Sequence, residues 1–310
     1  MPNILITGAG GFVGTHVARE AARCGGRLTL TSHRRPPQPP GEGRYRTVRV
    51  DLADPDSLRG LCDGVDVVLH CASQIGGTPE ANEAVNARGT EALCAEARRA
   101  GVSRIVYLST ASVYGRGTFR RARPEHLPRN PISPTSRTRA EAEDSVLAAD
   151  GIVLRPYLVY GPGDTWVVPG LGRLLRALPG TPVGWDARLS VIAVAELAAL
   201  LVAVGLAPRE RLSSSVYHAT HPEPVAAAAL LRGVADGLRL TRGRCLMGPA
   251  QARALPCDNG AVSRAVDMLA TDHWFDSAPL WDDLNRPAGT GWDADVSRMD
   301  EWYPQWAAAA

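Results

Sequence analysis

The stretch Thr7-Gly8-Ala9-Gly10-Gly11-Phe12-Val13-Gly14 follows the apolar segment Ile4-Leu5-Ile6 and precedes a segment with helical periodicity. Its glycines have the spacing GxxGxxG. Glycines at these positions permit a tight turn and bring the backbone close to a pyrophosphate, which binds the unpaired N–H groups and positive dipole of a helix start. An ordinary glycine-rich turn is the alternative, but the position between a strand and a helix favours a dinucleotide site. The predicted contacts are Gly8, Gly11, Phe12 and Val13.

Strands and helices alternate along the first half of the chain. The nearly continuous apolar runs at Val65 to Cys71 and Arg104 to Ser109 are typical of strands buried on both faces of a parallel sheet. Helices are predicted at Pro55 to Cys62, Glu80 to Ala100, Thr135 to Ala149 and Val194 to Gly205. This alternation predicts an α/β fold, a Rossmann doubly wound parallel sheet followed by a smaller mixed α/β substrate lobe.

The regular alternation fades beyond Pro162, and glycine and proline become frequent from Pro169 to Gly184. We therefore expect a nucleotide-binding domain over residues 1–165, with parts of residues 186–220 added to it, and a substrate lobe over residues 166–310. No low-complexity linker separates the two lobes. We expect them to form a cleft at the carboxyl ends of the strands, where open α/β sheets bind ligands.

The end of the second strand predicts which dinucleotide binds. Eighteen residues after Gly14, where an acidic residue would bond a free ribose 2′-hydroxyl, the sequence reads Ser32-His33-Arg34-Arg35. A carboxylate would repel a 2′-phosphate, whereas a guanidinium binds it with two hydrogen bonds, so NADP(H) is predicted over NAD(H). A solvated basic loop is the alternative. Asp51 and Leu52 follow the third strand and are expected near the adenine.

Composition excludes several classes of function. The chain has 310 residues, of which 45% are hydrophobic and 21% charged, enough to bury a substantial core. Its 34 basic and 32 acidic residues give a net charge of +2, so neither nucleic acid nor an anionic membrane is an expected partner. Every basic residue is arginine. The absence of lysine excludes Schiff-base chemistry and a P-loop lysine.

Cysteine spacing and hydropathy give further expectations. The six cysteines show no CxxC or Cys/His pattern, so no metal site and no disulfide framework is predicted, and buried thiols are expected. They are Cys24, Cys62, Cys71, Cys94, Cys245 and Cys257. No stretch approaches the roughly 18 apolar residues needed to cross a bilayer, and no basic segment opens the sequence. A cytoplasmic location is therefore expected.

Several further motifs follow the glycine-rich turn in a characteristic order. They are Asp51, His70-Cys71-Ala72-Ser73, Asn86 with Gly89-Thr90, Tyr107 to Gly115, and Arg155-Pro156-Tyr157-Leu158-Val159-Tyr160-Gly161-Pro162. Together they make the chain resemble an extended short-chain dehydrogenase/reductase over nearly its whole length, more loosely beyond Gly163. The resemblance implies a Rossmann fold, a nicotinamide cofactor and a Ser/Thr, Tyr and Lys triad. The cofactor contacts that it implies are Cys71, Ala72, Ser73, Arg139, Pro156, Tyr157 and Leu158.

Two members of that triad are replaced in this chain. The hydroxyl residue four positions before Tyr114 is present as Thr110. In the segment Pro134-Thr135-Ser136-Arg137-Thr138-Arg139, however, threonine stands where the family has tyrosine, and arginine where it has lysine. Arginine keeps the positive charge, but an aliphatic alcohol is too weak an acid to exchange protons near pH 7. The catalytic residues implied by position are Thr110, Thr135 and Arg139.

Other departures concern the substrate. Leu158 replaces the asparagine that contacts the nucleotide end in sugar-nucleotide members of the family, and Ala111-Ser112 replace the acidic residues of its dehydratases. These changes argue against a nucleotide sugar and favour a flat, hydrophobic ligand. Ser112, Tyr157 and Arg188 are the expected substrate contacts. The tryptophans near the C-terminus, from Trp274 to Trp306, are expected in the core.

Within the family, the chain is most similar to simocyclinone-type angucyclinone ketoreductases. The resemblance implies NADPH-dependent reduction of an aromatic polyketide carbonyl without the Tyr/Lys pair. We hypothesise that a phenol of the substrate or water supplies the proton. An epimerase, dehydratase or reductase of another small molecule is an alternative, with a relocated acid at Tyr157, Tyr114 or His126. A non-catalytic NADP(H)-binding sensor is the other alternative. Whether the protein is a monomer or a dimer stays open.

Overall fold

The computed structural model describes residues 1–41, 43–240, 245–255 and 260–304. The strands, in chain order, are β1 (Asn3–Thr7), β2 (Arg27–Ser32), β3 (Tyr45–Arg49), β4 (Val67–His70), β5 (Arg104–Leu108), β6 (Phe119–Ala122), β7 (Ile152–Arg155), β8 (Leu158–Tyr160), β9 (Gly180–Pro182), β10 (Arg188–Leu189), β11 (Val191–Ala193), β12 (Val216–His218), β13 (Val225–Ala226), β14 (Cys245–Met247) and β15 (His273–Phe275). The helices are α1 (Phe12–Arg23), α2 (Pro79–Asn82), α3 (Gly89–Arg99), α4 (Pro134–Ala148), α5 (Val167–Ala177), α6 (Val194–Leu206), α7 (Ala227–Gly237), α8 (Pro249–Arg253), α9 (Gly260–Leu269), α10 (Ala278–Leu284), α11 (Gly291–Asp295) and α12 (Met299–Trp302).

Seven strands form the main sheet in the order β12-β7-β5-β4-β1-β2-β3. Every neighbouring pair in it is parallel. Its central strands are buried on both faces, which explains their continuous apolar sequences. The predicted doubly wound α/β fold is therefore confirmed.

Alternation along each strand divides the core between the two faces of the sheet. Ile4 and Ile6 of β1 pack with α1 and α6 on one face, whereas Leu5 packs with α3 and α4 on the other. Because α6 covers the same face as α1 and β12 pairs with β7, residues 194–218 return to the first lobe.

The second lobe has a smaller sheet and a core of its own. Its sheet has the order β13-β10-β15-β6, and only the β10–β13 pair is antiparallel. Apolar side chains of α5, α7 and α9 pack with those of β8 and β11 in this core. Trp281 and Trp292 are buried, as predicted, while Trp274 and Trp302 are half-buried and Trp306 lies outside the described residues.

Two predicted helices differ from the structure. The segment Pro55 to Cys62 contains one 3₁₀ turn, Pro55–Leu58, because Gly60 follows in a left-handed conformation with φ of +72°. The long helix predicted from Glu80 to Ala100 consists of α2, one π-helical turn at Glu83–Arg88, and α3. A π turn adds a residue to the helical repeat and is frequent near functional sites.

The thiols of Cys62 and Cys94 are buried, as predicted. Cys24 and Cys245 are exposed, so the prediction is wrong for these two. Cys24 caps the end of α1 and Cys245 begins a strand in a two-stranded sheet, and neither position faces a core. Cys257 lies outside the described residues. Among the helices of the described ranges, none is both long and apolar enough to cross a bilayer.

Candidate active site

A cleft of about 800 Å³ lies at the carboxyl ends of the main-sheet strands. The chain segments that line it follow β1, β2, β3, β4, β5 and β7 directly, as parallel α/β sheets require of a ligand site. They are Gly8 to Gly14, Ser32 to Arg35, Asp51 to Ala53, Cys71 to Ile75, Ser109-Thr110 and Pro156-Tyr157, together with Arg139 of α4 and Gly163 to Val167. Most of the residues predicted to contact the cofactor are therefore brought together.

The glycine-rich turn forms one wall of the cleft and fits a pyrophosphate. Gly8 has φ of +67°, and a Cβ there would lie 2.7 Å from the backbone of Ala72. A Cβ on Gly14 would overlap the carbonyl oxygen of Gly8. Gly11 caps α1 with no side-chain hydrogen bond, so the N–H groups of the first helical turn face the cleft without a side-chain partner. These are the donors that a dinucleotide phosphate needs.

The ends of β2 and β3 form the part of the cleft expected to hold the adenosine. His33 Nε2 lies 3.4 Å from Asp51 Oδ2, and both side chains are half-exposed. Arg34 and Arg35 line the same region, and within the described part of the chain neither guanidinium has an ion-pair partner. Both charges are therefore available to an anionic ligand.

Two hydrogen-bond donors lie at the other end of the cleft. Thr110 Oγ1 accepts a hydrogen bond of 3.1 Å from the N–H of Ser112, so its own O–H is free to donate. Arg139 reaches the same place from α4 and donates from Nη2 to the carbonyl oxygen of Leu108 at 2.6 Å. Its buried Nε has no partner among the described residues. An unpartnered buried N–H is costly, which points to a ligand that accepts from it.

Comparison with known proteins identifies the family. The pattern of the NAD dependent epimerase/dehydratase family matches residues 4–218. The chain belongs to this family. Its curated relatives include a 2-alkyl-3-oxoalkanoate reductase of Stenotrophomonas maltophilia, 33% identical over 72% of this chain and 71% of the relative. They also include a ceramide reductase of Caulobacter vibrioides, 30% identical over 97% of this chain and 94% of the relative. Among solved structures, the Bordetella bronchiseptica enzyme WbmH in complex with NAD+ covers 99% of this chain and 100% of its own, with a TM-score of 0.77 and 20% identity.

Thr135 stands at the position of the tyrosine of this epimerase/dehydratase family but does not line the cleft. Its hydroxyl donates to Asn82 Oδ1 at 2.8 Å. Asn82 is buried and donates in turn to the carbonyl oxygens of Gly76 and Thr78 at 2.8 and 2.9 Å. The catalytic role predicted for Thr135 is therefore wrong in position. A threonine side chain is too short to extend into the cleft from this helical turn, and it anchors the loop after β4 instead.

Three other predicted contacts lie outside the cleft. Leu158 is buried in the core of the second lobe, because side chains alternate along β8 and Tyr157 and Val159 are the neighbours that face the cleft. Ser112 is exposed, and its N–H donates to Thr110 Oγ1, which caps the turn that follows β5. Arg188 is exposed on β10, where its backbone N–H donates to Asp272 Oδ1 at 2.7 Å.

The candidate relocated acids have different environments. Tyr157 lines the cleft and stacks on His273 with ring centroids 5.3 Å apart, and burial raises its pKa. Tyr114 lies in the interior, where its oxygen contacts His218 Nε2 and Arg155 Nη1 at 2.7 Å each. Burial raises the pKa of Tyr114 to about 12. His126 is exposed and outside the cleft. Of the three, only Tyr157 reaches the place where a substrate would bind.

His70 at the end of β4 is buried with both ring nitrogens bonded. Its Nδ1 lies 2.6 Å from Thr7 Oγ1 and its Nε2 lies 2.9 Å from Thr90 Oγ1. Both partners of this histidine are side-chain hydroxyls, which indicates a structural role. A histidine with both nitrogens occupied is not placed for proton transfer.

The buried histidines His70 and His218 make the stability of the protein depend on pH. Burial lowers the pKa of each to about 3, from an ordinary value near 6.5 in the unfolded chain. The unfolded chain therefore binds up to two more protons as the pH falls below 6.5, which favours unfolding. We expect the free energy of unfolding to decrease by up to about 2.7 kcal/mol per pH unit. Urea unfolding at pH 7.5, 6.5, 5.5 and 4.5 measures this slope.

The variant His218→Gln is the control for this slope. It removes one of these two groups, so the decrease should become less steep by up to about 1.4 kcal/mol per pH unit. Equal free energies of unfolding at pH 7.5 and 4.5 in the unsubstituted protein would contradict the assignment of two neutral buried imidazoles.

Proposed function

We propose that the protein is an NADPH-dependent ketoreductase that reduces a carbonyl of an aromatic, angucyclinone-type polyketide. The observation that carries this proposal is the pair of donors at the inner end of the cleft. Thr110 O–H and Arg139 Nε–H have no acceptor within the described protein, and both lie in the cleft that contains the glycine-rich turn. Reduction of a carbonyl creates an alkoxide, which such donors stabilise.

The residues of the cleft fit a phosphorylated nicotinamide dinucleotide. The first turn of α1 would hold the pyrophosphate, and Arg34 and Arg35 would hold a 2′-phosphate. When bound, NADPH supplies a hydride to the carbonyl carbon. Thr110 donates a hydrogen bond to the carbonyl oxygen as negative charge develops on it, and Arg139 adds a positive charge beside Leu108.

The alkoxide oxygen also needs a proton. Thr135 cannot supply it, because its hydroxyl is bonded to Asn82 and an aliphatic alcohol is too weak an acid. A phenol of the substrate beside the reacting carbonyl supplies the proton to the alkoxide and regains one from water, and this makes a protein tyrosine unnecessary. The change Thr135→Tyr should then leave turnover unimproved and disrupt the bond to Asn82. A large gain in turnover with unchanged binding would contradict a substrate-derived proton.

Oxidation of NADPH by the purified protein tests the proposal. The substrates are a hydroxyquinone polyketide, a 2-alkyl-3-oxoalkanoate and a nucleotide sugar, with NADPH affinity measured in parallel. We expect oxidation with the polyketide alone. Tight NADPH binding without turnover on any compound would favour a sensor, and turnover of the nucleotide sugar would contradict the proposal.

Reduction of an aliphatic 3-oxo compound is the second candidate. The observation that favours it is the similarity to a ceramide reductase over 97% of this chain and to a 2-alkyl-3-oxoalkanoate reductase over 72%. Such a substrate carries no phenol, so its proton would come from water or from Tyr157 in the cleft wall. In the assay above, turnover of the 2-alkyl-3-oxoalkanoate without the polyketide would select this candidate.

The preference for NADPH predicts the effect of the variant Arg34→Ser/Arg35→Ser. Loss of charged hydrogen bonds from both arginines to the 2′-phosphate should lower kcat/KM for NADPH by about 10²- to 10⁴-fold, since each bond is worth about 1.5–3 kcal/mol. The value for NADH should change little. Arg27→Ser is the matched control, because Arg27 is exposed at the opposite end of β2. Equal losses with both cofactors would show that the two arginines do not recognise the phosphate.

A further inference from the structure

Two large apolar side chains that line the cleft are exposed to solvent. Trp166 is 66% exposed and Ile75 is 56% exposed, and both line the cleft. They come from separate loops, after β8 and after β4. Leaving an indole in water forgoes the favourable free energy of its burial. Two such side chains facing one cleft indicate an apolar ligand rather than scattered surface residues.

The backbone beneath Trp166 is held firmly. Asp164 is buried, and its Oδ1 accepts hydrogen bonds from the N–H groups of Trp166 and Val167 at 2.7 and 2.9 Å. Its Oδ2 accepts from the N–H of Val168 at 2.8 Å and from Tyr303 O–H at 3.2 Å. A buried carboxylate is tolerated because all these donors satisfy it and the N-terminus of α5 lies beside it.

The loop that carries Trp166 is also fixed at its start. Tyr303 accepts a hydrogen bond of 2.9 Å from the N–H of Gly161, so the hydroxyl joins the beginning of the loop to Asp164. The loop that carries Ile75 is anchored by Asn82 and Thr135. The exposure of Trp166 and Ile75 is therefore a property of two well-bonded loops. Side chains presented in this way lose little conformational entropy when a ligand binds.

We propose that Trp166, with Ile75 of the same cleft, forms the stacking platform that recognises the fused aromatic rings of the substrate. This inference rests on the proposed function and specifies which residues select a flat substrate. An indole gives a planar apolar face on which a fused ring system stacks, while Thr110 and Arg139 line the same cleft and would meet its carbonyl. A small polar substrate would gain nothing from this face.

Binding of 1,8-dihydroxyanthraquinone to the NADP+-saturated protein tests the inference without requiring turnover. We expect Trp166→Ala to raise the Kd by about 10- to 100-fold, in line with stacking energies measured for other planar ligands. Trp166→Phe keeps a ring and should raise it by less than about fivefold. The affinity for NADP+ should not change. Tyr45→Ala is the matched control, because this exposed aromatic residue begins β3 at the edge of the sheet opposite the cleft.

The outcomes separate this inference from the proposed function. Equal Kd values for the unsubstituted protein and Trp166→Ala, or no binding of the probe to either, would overturn the stacking platform. Binding that depends on Trp166, together with a failure of every aromatic ketone to oxidise NADPH, would support the platform and overturn the ketoreductase.

Discussion

Replacing Glu143 by alanine is expected to lower the free energy of unfolding by about 3–5 kcal/mol, the usual cost of leaving a buried charge without its partner. Glu143 is fully buried and accepts from Arg155 Nε at 2.9 Å and from Nη2 at 2.5 Å. It also accepts from Ser109 Oγ at 2.5 Å. Its removal leaves the Arg155 guanidinium, itself 5% exposed, without a counter-charge. Urea unfolding at pH 7.5 measures the loss.

Two further variants test the cause of this loss. Glu141→Ala changes an exposed residue of the same helix and should alter the free energy of unfolding by no more than about 0.5 kcal/mol. The double variant Glu143→Met/Arg155→Met removes both charges and should recover part of the stability. If Glu143→Ala were as mild as Glu141→Ala, the buried ion pair would not hold α4 against β7.

Replacing Thr110 by valine is expected to lower kcat by about 10²- to 10³-fold, the usual effect of losing one donor to a developing oxyanion. Valine keeps the shape of threonine and removes the O–H that faces the cleft. NADPH oxidation with the aromatic ketone measures the effect. The affinity for NADPH should remain, because Thr110 lies away from the phosphate-binding turn.

The change Thr110→Ser distinguishes a donor from a structural cap. Thr110 Oγ1 also accepts a hydrogen bond from the N–H of Ser112 and so caps the turn that follows. Losing a cap of this kind costs about 1 kcal/mol of stability. Serine retains both the cap and the donor, so it should keep most of the activity. Unchanged kcat in Thr110→Val would leave Arg139 as the only donor and contradict the role of Thr110.

Local patterns predicted which residues after β1, β2 and β3 line the cleft. The glycine-rich turn, the residues after β2 and the pair Asp51-Leu52 each follow a strand directly, and the carboxyl ends of parallel strands meet at one edge of the sheet. Position along the chain therefore specified position in space. Cys71, Ala72 and Ser73 reached the cleft for the same reason.

The part of the cleft beside Thr110 and Arg139 was harder to predict because it depends on which way single side chains point. A family position placed Thr135 at the cleft, but the length of the side chain determines what it reaches, and Asn82 is what it meets. The contact predicted for Leu158 was wrong because β8 pairs with β11 as a strand. Side chains alternate along a strand, so Leu158 points away from the cleft. No periodic signal marked Trp166 or Glu143, whose roles come from contacts with distant parts of the chain.

The sequence by itself determined the parallel α/β fold, the site of the glycine-rich turn, the absence of lysine chemistry and the loss of the family tyrosine. The first three follow from composition, from hydrophobic periodicity and from motifs whose residues are neighbours in the chain, whereas the replaced tyrosine is what the resemblance to the family implies. Only the tertiary structure decided that Thr135 anchors a loop, that Leu158 belongs to the core, that the Nε of Arg139 is left without a partner, and that Trp166 lines the cleft. Those outcomes depend on hydrogen bonds and packing between segments far apart in sequence, such as Asp164 with Tyr303, and no local pattern encodes them.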